Sequence, residues 1–158
     1  MCLWHYSRMK QSARVAIMKH VFVLIQFICI FILLLTSSVI AVDVGLAIQI
    51  ASILIGIWSI KSLGDSNWSV YPTPNENSSL SCNGPYKYVR HPMYTTVIFF
   101  FLPMVFRDAD WFNWMIYGIL AITLLFKINY EEKQLVAKHP EYAEYIKVTS
   151  KRLVPWVW

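Results

Sequence analysis

From Val21 to Val42 the chain runs for 22 residues without a charge. A helix of about 20 apolar residues crosses the ~30 Å hydrocarbon core of a bilayer, so this one stretch leaves few folds open. After the single Asp43, Val44–Ile60 adds 17 more uncharged residues before Lys61. A soluble domain of 158 residues could bury one such helix but hardly several. Only 15% of the residues are charged and 57% are hydrophobic, whereas soluble domains hold ~25% and ~45–50%. The chain is therefore expected in a membrane. Arg8, Lys10, Arg14 and Lys19 form a basic flank of the kind that precedes a signal peptide. The apolar run is too long for the usual ~7–15-residue signal core, however, and no small-residue cleavage site precedes the next run.

Four apolar segments stand out, at Val21–Val42, Val44–Leu63, Pro92–Phe106 and Trp111–Ile128. With Asp43 as almost the only link, the first two predict a tight antiparallel hairpin. The Arg107-Asp108-Ala109-Asp110 turn predicts a second hairpin from the last pair. The third segment is short: 15 residues rise only ~22 Å. Pro92 suits the first turn of its helix, where the missing N–H costs nothing. Beyond Ile128 the helical pattern continues with charge, so the fourth helix is expected to project to about Lys138. Pro140 breaks it, and Glu141–Thr149 should form a short amphipathic piece. Tyr142, Tyr145, Trp156 and Trp158 fit an interfacial position, as Trp111 and Trp114 do on the opposite side.

Gly64 to His91 is a polar connection rich in Asn, Ser and Pro. With four spans, every basic residue except Arg107 falls on one side of the membrane, and the positive-inside rule makes that side cytoplasmic. The net charge of +5 thus reads as topology and attraction to membrane lipids, with no nucleic-acid partner. The Asn67-Trp68-Ser69 and Asn77-Ser78-Ser79 triplets would lie on that side and stay unglycosylated. Cys2, Cys29 and Cys82 have neither metal nor disulfide spacing, and Cys29 is expected to pack inside the membrane. The fold class is an all-α membrane protein with about four transmembrane helices in two hairpins and a cytoplasmic C-terminal helical segment. Residues 1–63 form the basic N-terminus and first hairpin. Residues 64–158 carry the loop, second hairpin and tail. Both termini should be cytoplasmic, in a bacterial inner membrane rather than the endoplasmic reticulum.

The stretch Gly84-Pro85-Tyr86-Lys87-Tyr88-Val89-Arg90-His91-Pro92-Met93-Tyr94 places Arg, His and Tyr at the mouth of one helix. Glu131-Glu132 ends the next helix, and antiparallel packing brings both to the same membrane depth. A basic, hydroxyl-bearing cluster facing two carboxylates suits a zwitterionic ligand with a positive centre. Duller roles remain open at this point. His91 could cap the helix, Tyr94 could anchor at the interface, and Glu131 and Glu132 could form a solvated helix end. Arg90 could serve topology or bind a headgroup phosphate.

G-P-Y-K-Y-V-R-H-P-M-Y, a hydrophobic helix and E-E-x-x-L together resemble the isoprenylcysteine carboxyl methyltransferase family, with phospholipid N-methyltransferases as broader relatives. The tail P-E-Y-A-E-Y-I-K-V-T-S-K-R-L-V-P is similar to that family's E-Y-x-x-Y followed by basic residues and a proline. The resemblance runs from about Trp68 to the C-terminus. It implies a membrane enzyme using S-adenosyl-L-methionine to methylate a carboxylate or other nucleophile on a lipophilic or membrane-associated acceptor. It further implies that Tyr86, His91, Pro92, Met93, Tyr94, Glu131 and Glu132 bind the cofactor, with Leu80 and Ser81 closing over it.

Two positions depart from the family. Thr95-Thr96 stands where a glycine is common, implying a less close helix approach. Lys127 stands where the eukaryotic enzymes carry a substrate-touching arginine, one turn before the cofactor-binding glutamate. Lys127 can neutralise an acceptor anion without forming a bidentate fork. Sterol reductases share a G-x-Y…R-H-P-x-Y stretch, which makes a nicotinamide-dependent reductase the first alternative. A non-enzymatic membrane subunit is the second.

Overall fold

The computed structural model describes residues 2–63 and 83–154. Leu80 and Ser81, both Asn-x-Ser triplets, and Trp156 and Trp158 lie outside those residues. Five α-helices follow in order: α1 Cys2–Thr36, α2 Val44–Leu63, α3 Pro92–Asp108, α4 Trp111–Lys138 and α5 Tyr142–Val148, with a 3-10 turn at Gly84–Lys87 before α3. No strand occurs among the described residues.

Two helices, α2 and α4, are long and apolar enough to cross a membrane; the apolar part of α1, His20–Thr36, is shorter. The way α2 is turned separates it from the core helix of a soluble protein. It buries Gln49, Ser52 and Ser59 and exposes Ile50, Ile53, Leu54 and Ile57. The Ser52 and Ser59 hydroxyls donate to the carbonyls of Ile48 and Ile55 one turn back. Polar side chains inside and apolar ones outside is the arrangement favoured when the solvent is hydrocarbon.

Of the two expected hairpins the second forms, with Tyr94 on Glu131, Ile98 on Tyr117 and Phe106 on Trp114, while α1 and α2 do not pack along their length. Packing is densest between α2 and α3 and between α1 and α4, while α3 and α4 meet along a narrower seam. Along α1 and α4, Phe22 meets Tyr130, Gln26 meets Lys127 and Thr36 meets Asn113. The rising and falling numbers make the pair antiparallel. Nor is the first link a bare Asp43: α1 stops at Thr36, so residues 37–43 form a real connection. Gln49 organises it, accepting the Ala41 N–H through Oε1 at 2.9 Å and donating through Nε2 to the Val39 carbonyl at 2.9 Å. Buried backbone that leaves a helix needs such partners, because an unpaired N–H or carbonyl is costly there.

Thr96 does not hold the helices apart as expected, because the small residue sits on the other side. A Cβ on Gly56 of α2 would lie 3.0 Å from Thr96 Cγ2, and one on Gly45 would lie 3.1 Å from Pro103 Cβ. Small residues let two backbones approach without a gap. At the centre Cys29, Leu33, Phe101, Met104, Val105, Ile116, Leu120 and Leu124 form one buried cluster, so Cys29 does pack internally. Helix α4 runs on past Ile128 to Lys138 as its charge pattern predicts, and Pro92 occupies the first turn of α3.

Candidate active site at the helix mouth

Gly84 starts the site. Its φ of +58° is a conformation that L side chains rarely adopt, and a Cβ there would fall 2.1 Å from Ser62 Oγ at the end of α2. Only glycine fits. The chain turns through Gly84–Lys87 and reaches Arg90 and His91, where the backbone meets the returning C-terminal tail. The Arg90 N–H donates to the Lys151 carbonyl and the His91 N–H to the Arg152 carbonyl, both at 2.9 Å. Thr95 Oγ1 adds a bond of 2.6 Å to the Leu153 carbonyl. The tail is thereby strapped across the start of α3.

Glu132 binds strap, loop and α4 together. Its carboxylate accepts from Arg90 Nε at 2.8 Å, from Arg152 Nη2 at 2.9 Å and from His91 Nε2 at 3.3 Å. Burial alone would raise its pKa, but hydrogen bonds and charge from His91 and Arg90 hold the carboxyl down at about 2. Arg90 also donates through Nη1 to the carbonyls of Thr149 and Ser150. Arg90, His91 and Glu132 are all buried. Burying an ion costs several kcal/mol unless such partners surround it, so this cluster is built as a unit. The Arg90 guanidinium is thus occupied by partners within the fold. Glu132, expected beside Glu131 in cofactor binding, has its oxygens occupied from within.

His91 is not a side-chain helix cap; it makes no cap bond at the start of α3. Because a carboxylate only accepts, the bond to Glu132 makes Nε2 the donor. The other nitrogen, Nδ1, lies 3.7 Å from Glu131 Oε2. The ring stacks on Tyr94 with centroids 5.6 Å apart and 14° between planes. The Tyr94 hydroxyl donates to Glu131 Oε2 at 2.9 Å. The paired carboxylates thus have unlike fates: the Glu131 side chain is 25% exposed, Glu132 only 10%. Glu131 is the one that faces outward.

Tyr86 is half-buried, with its carbonyl accepting the Tyr145 hydroxyl. Burial pushes its phenol up, the Glu131 carboxylate adds to the effect and Tyr145 contributes a little more, so it stays a neutral hydrogen-bond donor at physiological pH. Tyr142 and Tyr145 are buried against the site rather than standing as interface anchors. Pro92 is buried and Met93 half-buried at the same helix start.

Lys127 lies one turn from Glu131 along α4 and is 1% exposed. Its Nζ sits 5.2 Å from the centroid of the Tyr94 ring and donates to Gln26 Oε1 on α1 at 2.8 Å. His91, Tyr94, Glu131 and Lys127 are therefore linked by direct contacts. Sequence reasoning passed over Arg152, Thr95, Tyr145 and Gln26. The signal for Gln26 was present, as the sole amide in the uncharged Val21–Val42 run. The strap residues fall within the tail that resembles the family's, but nothing there marked Arg152 as a partner of Glu132.

The sequence profile of a family described as phospholipid methyltransferase matches residues 40–143. The chain belongs to the phospholipid methyltransferase family. This is the same membrane methyltransferase family as the isoprenylcysteine carboxyl methyltransferases. Its members are membrane-bound and generally use S-adenosylmethionine. A search of curated proteins finds no significant match. The matched residues run from the α1–α2 link into α5 and cover Arg90, His91, Tyr94, Lys127 and the glutamate pair. Gln26 and the Thr149–Leu153 strap lie outside them.

Proposed function

We propose that this membrane methyltransferase takes its methyl group from S-adenosyl-L-methionine bound at the mouth formed by Tyr86, His91, Pro92, Met93, Tyr94 and Glu131, and acts on a lipophilic acceptor. The observation that carries this reading is the inequality of the two glutamates. Three cationic or donor groups saturate Glu132, leaving Glu131 half-open beside two phenols. That donor set suits the proposed group. Glu131 can accept from an ammonium or from ribose hydroxyls, and Tyr86 can donate to a carboxylate.

When bound, S-adenosylmethionine supplies a methyl group on a sulfonium sulfur, which leaves as a neutral thioether as the acceptor's bond to carbon forms. A carboxylate or thiolate acceptor arrives already nucleophilic, so the residues have no proton to remove. Their work is alignment: the stacked pair of His91 and Tyr94 fixes one wall, and Tyr94 holds Glu131 in place. Orientation of this kind can lower a barrier by several kcal/mol. Lys127, one turn deeper than Glu131, would meet the acceptor's anionic end. An isoprenylcysteine-like carboxylate is one acceptor that meets these requirements.

The deciding measurement is calorimetry on purified protein in detergent with S-adenosylhomocysteine and with NADPH. Binding of the first and none of the second is expected. The reverse result would move the chain to the nicotinamide reductases, and binding of neither to the non-enzymatic subunits. Four spans with both termini cytoplasmic complete the proposal, supported by the basic bias and by the antiparallel order of the four long helices. Reporter fusions at the C-terminus should be active in the cytoplasm, and fusions after Asp110 on the far side. An exported C-terminal reporter would refute that topology.

A further inference from the structure

The 3-10 turn Gly84–Lys87 is too short to hold itself. Hydrogen bonds in such a turn are poorly aligned, and a single turn takes its position from what surrounds it. Its own bonds run from the Tyr86 N–H to the Asn83 carbonyl and from the Tyr88 and Val89 N–H groups to the Pro85 carbonyl. The next two carbonyls, of Tyr86 and Lys87, are taken by the far end of the chain. Tyr145 donates its hydroxyl to the Tyr86 carbonyl at 2.5 Å, and Thr149 donates its own to the Lys87 carbonyl at 3.4 Å. Tyr145 and its C-cap partner Thr149 stand one helical turn apart, so one face of α5 meets two consecutive carbonyls. Tyr145 is 8% exposed and its ring packs on Tyr142 with centroids 5.5 Å apart, which leaves the hydroxyl little freedom to leave its partner.

We infer that Tyr145 is a positioning residue of the cofactor mouth: its hydroxyl fixes the backbone of Tyr86 and so aims the Tyr86 phenol at the ligand. This rests on the methyltransferase reading of that mouth. The Tyr86 side chain is half-buried and close enough to Glu131 for that carboxylate to act on its phenol. At its start the turn lies against α2, where Gly84 meets Ser62 and Trp58. Tyr86 is thus held on one side by packing and on the other by two hydrogen bonds, the shorter of them from Tyr145. A group that positions a ligand can lose roughly a hundredfold in rate through a shift of about 1 Å. A bond behind the wall therefore matters although Tyr145 acts through Tyr86 and touches no ligand itself.

The experiment compares full-length parent, Tyr145→Phe, Tyr86→Phe and the double variant in a non-ionic detergent. Two readouts are taken: calorimetry with S-adenosylhomocysteine, and amide hydrogen exchange along the chain. Tyr145→Phe keeps the ring and its packing on Tyr142 and removes only the hydroxyl. It should weaken S-adenosylhomocysteine about threefold to tenfold, the range of one neutral hydrogen bond. Exchange at the Tyr86, Tyr88 and Val89 amides should quicken, while that of α3 and α4 stays as in the parent. Tyr86→Phe should weaken the ligand by about tenfold. Adding Tyr145→Phe to it should cost less than about a further twofold, because the phenol to be aimed is gone. Losses that multiply in the double variant, faster exchange spread along α3 and α4, or unchanged affinity in Tyr145→Phe would overturn the proposal. If the parent binds no S-adenosylhomocysteine, the cofactor reading fails and exchange alone decides. Faster exchange confined to the turn then keeps Tyr145 as the residue that fixes Tyr86, and unchanged exchange removes it.

Discussion

The two ends of this helix row handle polar groups in opposite ways. At the end where α1 passes to α2 and α3 to α4, the connections close on themselves. The Ser38 N–H and hydroxyl bond Asp108, the Thr36 hydroxyl lies 2.6 Å from Asn113 Oδ1, and Arg107 donates to the Ile40 carbonyl. Gln49 ties the link down from within. The two charged side chains here, Arg107 and Asp108, each bond neutral groups of the α1–α2 link. At the other end charges gather: Arg90, Arg152 and His91 surround Glu132, while Glu131 remains half-open. One end satisfies backbone; the other organises ionised groups and leaves one carboxylate part-exposed. A polar cluster in an apolar solvent is therefore informative by what it leaves unsaturated.

The largest effect should come from the charged end. Arg90→Met strands the buried Glu132 carboxylate and releases two tail carbonyls, and breaking a buried pair in this way costs ~3–5 kcal/mol. Thermal unfolding should show that loss together with loss of S-adenosylhomocysteine binding. Unchanged stability would mean that the strap is not held by Arg90. The comparison sharpens at the neighbouring residue. Glu131→Gln should lower cofactor affinity about tenfold to a hundredfold while moving stability by less than ~1 kcal/mol. If it destabilises as much as Arg90→Met, the two glutamates do not differ in role as their surroundings indicate.

The smallest effect belongs to the closed end. Ala109 ends α3 with φ of +45°, and its N–H bonds the Val105 carbonyl. That conformation costs an L residue ~1–2 kcal/mol relative to glycine. Part of the gain from Ala109→Gly is lost to the greater freedom of the unfolded chain, so stabilisation of roughly 0.5–1 kcal/mol is expected. Cofactor titration should be unchanged. A shift in affinity would show that the two ends are coupled through α3 and α4.

Much of the mouth was legible in the residue order. R-H-P-M-Y marked the start of α3, E-E the projecting end of α4, and antiparallel packing put both at one depth, while the Tyr94–Glu131 bond came only with the structure. The roles within the cluster were less legible. Glu131 and Glu132 are chemically identical neighbours, and only the helix phase turns one toward Arg90 and Arg152 and the other toward Tyr94. Tyr142 and Tyr145 carry the composition of interface anchors, yet the strap folds them inward. Thr96 is bulkier than the glycine common at its position, yet Gly56 facing it leaves the room.

By itself the sequence determined the apolar segments, the helix starts and stops, and the identity of the chemistry-bearing groups. These are local properties, set by hydropathy, proline, glycine and the spacing of charges along one chain. Tertiary structure decided that α1 pairs with α4, that residues 149–153 lie against Arg90 and His91, and that Gln26 meets Lys127 across 101 positions of sequence. Apolar helices of similar length offer similar faces to one another, so hydropathy cannot rank their partners. The ranking comes from the few positions where a small residue admits a neighbouring backbone or a buried polar group finds its counterpart, and those matches exist only once the helices are side by side.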